Sequence, residues 1–185
     1  MVGEKTYFLW IGLVFLLIVS LIAFTSVQLG QNRSSTAQSH LKGTIGHTMF
    51  NYRSHLNAIA DERTLSDQNL NQAHDRLLAC HAYAETLDFA LRPVLPMLVP
   101  ATESMLQIVD YLERQRNADP LNWTEKHTQT YTKLLDFIQA MNDPLSRVYY
   151  EPDSHEGTGI SLTLHNTDEM KTYNDALRSY VSSLN

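Results

Sequence analysis

An unbroken apolar run, YFLWIGLVFLLIVSLIAFTSVQL at residues 7–29, constrains this chain more than anything else in it. It holds no charged residue and no proline. As a helix rising ~1.5 Å per residue it would extend about 34 Å, enough to cross a hydrocarbon layer of ~30 Å. A cleaved signal peptide has a shorter apolar region, of roughly 7 to 15 residues, followed by small residues at the cleavage site. Here the best cleavage candidate, Ala23-Phe24-Thr25, places a bulky ring between a small residue and a marginal one. The single cysteine, Cys80, lies too far along to carry a lipoprotein-type anchor. The run therefore reads as an uncleaved, single-pass transmembrane anchor.

Residues 1–6 then form a short cytoplasmic tail, and residues 30–40, rich in Ser, Thr, Gln and Asn, form a polar stalk. Positive charge is nearly balanced across the run, with Lys5 and the α-amino group on one side and Arg33 and Lys42 on the other, so the positive-inside rule does not orient it. The expectation of a cell-membrane protein with its C-terminal domain outside the cytoplasm rests on the shortness of the tail and the scarcity of cysteine. Residues 41–185 make up the extracytoplasmic domain, an ordinary size for one hydrophobic core. The net charge of −6 argues against nucleic acid as a partner. One cysteine excludes an internal disulfide, leaving packing to stabilise the domain.

Apolar spacing gives the fold class. Leu41, Ile45, Met49, Tyr52, Leu56 and Ile59 recur in steps of three and four and form one helical stripe. Leu70, Ala73, Leu77, Cys80, Ala84, Leu87 and Leu91 form a second and cleaner one, with Ser66 as N-cap and Asp67 in the first turn. Arg92-Pro93 ends that helix. A third helix is expected from a Thr102 cap to Asn117, and a fourth after Thr124, carrying Tyr131, Leu134, Leu135, Ile138 and Met141 up to Asn142-Asp143-Pro144. Residues 147–166 read as a long loop or short hairpin, because Val148 to Glu151 and Ile160 to Leu164 flank a polar centre. A last helix follows Thr167, with Met170, Tyr173, Leu177, Val181 or Tyr180, and Leu184 facing inward. The expected architecture is all-α: a transmembrane helix followed by an antiparallel bundle of four to five helices.

Candidate sites are sparse. The proline-broken apolar run Val94, Leu95, Met97 and Leu98 is either a buried corner between helices or an exposed patch; with Tyr149 and Tyr150 it is the candidate partner-binding surface. Among eight histidines, His74, His81, Glu85 and Asp88 fall near one face of the second helix, and His81 and Glu85, four residues apart, can hold one ion. Asp153 and His155, in the acidic loop 151–156, are the other metal candidates. No Glu-x-x-His occurs, as a di-metal carboxylate bundle would require, and the loop does not match a calcium-binding pattern. Nucleophile-elbow and phosphate-loop motifs are missing too, so no cofactor is implied. Cys80, mid-stripe, reads as a small core residue. The function expected from these features is binding: an accessory subunit or scaffold of a cell-envelope complex, or a ligand-binding module, with a protein partner. The alternative is a metal-dependent enzyme using His81, Glu85 and the 151–156 loop.

Overall fold

A computed structural model of the chain describes residues 40–91, 96–119, 123–149 and 164–184. The expected anchor at 7–29 and residues 30–39 of the expected stalk lie outside these residues, while residue 40 is helical. Among the described residues no helix is long and apolar enough to cross a membrane.

The described residues are helical with no strand: α1 (residues 40–60), α2 (Asp67–Leu91), α3 (Leu98–Ala118), α4 (Glu125–Ala140), α5 (Asn142–Tyr149) and α6 (Thr167–Leu184). From Lys42 onward they belong to one compact unit, a helical bundle. Helix α3 is central, packing against α2, α4 and α6. Helices α2 and α3 run antiparallel. Asp67 at the start of α2 meets Arg116 at the end of α3, while Asp88 near the end of α2 meets residues 97–99 at the start of α3.

The stripes foreseen from spacing are the core. All seven stripe residues of α2 are buried, as are Ile45, Met49, Tyr52, Leu56 and Ile59 of α1; Leu41, at the beginning of its stripe, is exposed. Tyr131, Leu134, Leu135, Ile138 and Met141 are buried along α4 and its C-cap, and Met170, Tyr173, Leu177 and Val181 along α6. Tyr180 is partly buried and its ring packs on Phe137. Small residues at Ala73, Cys80 and Ala84 let α1 approach α2 closely enough for the Cys80 thiol to point at the Tyr52 carbonyl, 3.6 Å away.

Buried hydroxyls tie the helices together where the apolar stripes leave gaps. Tyr52 Oη lies 3.0 Å from Thr102 Oγ1 and 3.6 Å from Met141 Sδ, joining α1, α3 and the end of α4. Tyr131 donates to the Glu62 carbonyl just beyond α1 (3.0 Å), and Tyr173 to the Phe137 carbonyl of α4 (2.8 Å). Burial raises the pKa of all three phenols, that of Tyr131 to about 12, so they stay neutral donors.

Two boundaries differ from expectation. Helix α3 begins at Leu98, a full turn before Thr102, which instead lies inside the helix and donates to the Leu98 carbonyl (2.8 Å). Pro100 is tolerated because it occupies the third helical position, whose N–H would have no intrahelical partner anyway. The second difference is α5. Val148 and Tyr149 are helical, and Pro144 falls in the first turn of a new helix after ending α4. The reading of a loop or short hairpin from 147 is thereby corrected for residues 147–149, which are helical, with Pro144, Leu145, Val148 and Tyr149 all buried at helical spacing. Residues 150–163, the remainder of the expected loop or hairpin, lie outside the described residues. The backbone on either side of them is joined by a hydrogen bond from His165 N to Val148 O, 3.2 Å.

Candidate functional site

The side chains singled out from the sequence fall at the corner between α2 and α3 and along α2, and the structure adds a third place on the outside of α1. At the corner between α2 and α3, Met97, Leu98 and Tyr149 are buried in the core, which removes them as surface contact residues: a partner cannot reach them while the bundle is closed. Val94, Leu95 and Tyr150 lie outside the described residues.

What closes the corner is Asp88. Its Oδ2 accepts three backbone N–H groups, from Met97 and Leu98 at 3.0 Å each and Val99 at 2.9 Å, so a carboxylate from the end of α2 caps the start of α3. The N-cap residue itself, Met97, offers no side-chain acceptor. Three donors with no intrahelical partner and the positive end of the α3 dipole converge on one oxygen. Asp88 is nevertheless 8% exposed, and burial raises its pKa. The amides of Val99, Met97 and Leu98, and the Tyr149 hydroxyl, pull it back down without cancelling the shift. Tyr149 approaches the carboxyl without reaching a well-formed hydrogen bond, leaving Asp88 Oδ1 and Tyr149 Oη both buried and unsatisfied. Burial first, and the Asp88 charge second, push the Tyr149 pKa up. On the other side of the corner Asn174 of α6 donates to the Met97 carbonyl, 2.9 Å. The cluster is a structural joint linking α2, α3, α5 and α6.

The second place is the edge of α2. His81 Nε2 lies 3.6 Å from Glu85 Oε1, the i,i+4 pair expected, while its Nδ1 is buried and unsatisfied. Asp153 and His155 lie outside the described residues. His74 and Asp88 do not join this pair. Seven residues of helix advance about 10 Å along the axis, so a shared face does not mean a shared centre.

His74 turns instead towards α3. Its Nε2 is 3.8 Å from Asp110 Oδ1, and with Glu113 it makes a group whose ligand atoms all lie within 4.8 Å of one another. Among the described residues this is the group of three or more side chains able to hold a metal ion. Asp110 and Glu113 stand one turn apart on α3, and antiparallel packing supplies the imidazole from α2. Asp110 also lines a cleft of about 230 Å³ with Gln107, Tyr111, Arg114, Val181 and Leu184. Sequence reasoning missed this trio because Asp110-x-x-Glu113 gains a histidine only once the register of α2 on α3 is known.

The third place is the outward side of α1. Phe50 is 67% exposed and lines a groove of about 460 Å³ with Arg53, Ser54, Asn57, Ala58 and Asp61. On α2, Phe89 is 75% exposed, and Leu78 is exposed as well. Cys80 is far from any such surface: it is fully buried, and burial pushes its thiol pKa up to about 12.

His127 has a local role that the sequence did not suggest. It stands at the third position of α4, where its Nδ1 accepts from Thr124 N (3.2 Å) while its own N–H donates to Thr124 Oγ1 (3.3 Å), completing a capping box.

No protein family, curated protein or solved structure matches this chain.

Proposed function

We propose that this protein is a membrane-tethered helical bundle that works by binding another protein, with residues 7–29 as the tether and the bundle on the extracytoplasmic side. The observation that carries the binding role is Phe50. The inner stripe of α1 is already filled by Ile45, Met49, Tyr52, Leu56 and Ile59, yet the same helix holds a phenylalanine out in solvent beside a groove of mixed polarity. At the edge of a groove, such a ring is the kind of aromatic anchor that protein contacts bury. Arg53, Ser54, Asn57 and Asp61 around it supply the polar rim of a protein contact. The membrane placement rests on the length and uniform apolarity of the 7–29 run.

The test is a photo-crosslinking residue at position 50 of the full-length protein in its native membrane, followed by solubilisation in mild detergent. A crosslinked species of defined mass is expected, with loss of the same partner from a Phe50→Ser variant that stays folded. Recovery of uncrosslinked monomer alone would remove the basis for the binding role. Extraction of the protein by alkaline carbonate would separately refute the tether.

A further inference from the structure

We infer that His74, Asp110 and Glu113 form a binding site for a divalent first-row transition-metal ion, of the zinc or manganese class, that bridges α2 and α3. The donor set is one imidazole and two carboxylates. Imidazole selects against calcium and magnesium, which take oxygen ligands, and favours transition ions. Metal–ligand bonds of about 2.0 to 2.2 Å put neighbouring donor atoms roughly 3 to 4 Å apart around an ion. The 3.8 Å between His74 Nε2 and Asp110 Oδ1 already falls in that range, and is too long for a hydrogen bond between them. The third donor lies within 4.8 Å of both, so closing on an ion takes about 1 Å of side-chain movement.

The side chains have that freedom. His74 is 31% and Asp110 49% exposed, which also leaves room for water in the remaining coordination positions and a path for the ion to enter. Each residue is nonetheless carried on a regular helix whose adjoining face is locked in the core, by Ala73 and Leu77 on α2 and by Val109 and Leu112 on α3. The separation of the two backbones is therefore fixed.

Charge points the same way. Asp110 and Glu113 are like charges one turn apart, an arrangement that costs energy on a helix. A dication bound between them would offset that repulsion. Further along the seam the Asp67 carboxylate already has its own cation, Arg116 at 2.6 Å, so Arg116 is engaged away from this trio.

The experiment titrates Zn²⁺ alone into full-length protein in detergent, against a chromophoric chelator, for the wild type and for His74→Gln, Asp110→Asn/Glu113→Gln and His81→Ala. Co²⁺ absorbance reports the ligand field, and thermal unfolding reports stabilisation by the ion. One ion per chain is expected for the wild type and His81→Ala. Affinity should be at least about tenfold weaker in the other two, because even losing a group that only orients a ligand costs roughly 10- to 100-fold. The Zn²⁺-dependent rise in Tm should vanish with it. Both carboxylates keep their size as amides, so the double variant tests the site without a packing defect. Failure of the wild type to bind one ion, wild-type affinity in either site variant, or equal loss in His81→Ala would each overturn the assignment.

Discussion

Replacing Asp88 by alanine should destabilise the bundle by about 3 kcal/mol. The alanine strands three N–H groups that now share Asp88 Oδ2 at 2.9 to 3.0 Å, and two of them belong to Met97 and Leu98, which are buried. A buried donor left without a partner costs about 1 to 3 kcal/mol, and the third amide, of half-buried Val99, costs less. Those penalties do not simply add, since one oxygen serves all three and removing the side chain also removes the cost of burying a carboxylate. The total still exceeds the roughly 0.5 to 2 kcal/mol of an ordinary exposed N-cap. Set against a typical stability of about 5 to 15 kcal/mol, the loss is large. Urea unfolding of the full chain followed by far-UV circular dichroism should show the midpoint falling by roughly 1.5 M for an m-value near 2 kcal/mol/M. Amide exchange should show lost protection at residues 97–99. Asp136→Asn, at an exposed ion pair 4.0 Å from Lys133, is the control and should stay within about 0.5 kcal/mol of wild type. If Asp88→Ala changes stability by no more than this control, the three amides are not paired with Asp88 in solution and the account of the corner fails.

Three further outcomes are expected. Because burial holds the Asp88 pKa above its unfolded value, its protonation favours the fold: that contribution is complete below the unfolded pKa of about 3.9 and is lost as pH rises through the folded one, so wild type should gain on Asp88→Asn as pH falls from 7 to 4 in urea titrations. Cys80, buried with its thiol pKa near 12, should resist a thiol reagent at pH 8 in the native protein and react fully in denaturant. Leu77→Ala, at the fully buried centre of the α2 stripe, should cost about 2 to 5 kcal/mol in the same urea assay, whereas Leu78→Ala next to it, on an exposed position, should cost far less.

The core residues of α1, α2, α4 and α6 were legible in the sequence because each helix buries one face and the 3.6-residue period writes that face into the spacing. Helix ends made by local chemistry were legible too: Ser66 Oγ accepts from Asn69 N, 3.1 Å, and Thr124 caps α4. The start of α3 was not, because its cap comes from Asp88, nine to eleven residues upstream across a corner. Pro144 misled in the same way. It stops α4 and also suits the first turn of α5, and only the burial of Leu145 and Val148 selects a helix.

Sequence by itself determined that this chain carries a membrane-length apolar run and, beyond residue 40, a set of amphipathic helices, since both follow from spacing within one segment. Tertiary structure decided which polar groups meet. The register of α2 on α3 sets Asp88 on the α3 N-terminus and His74 beside Asp110 and Glu113, while His81, a candidate on the same helix, is left with its neighbour Glu85. Periodicity tells which face of a helix is buried, but the relative position of two helices along their axes depends on the packing of side chains from both.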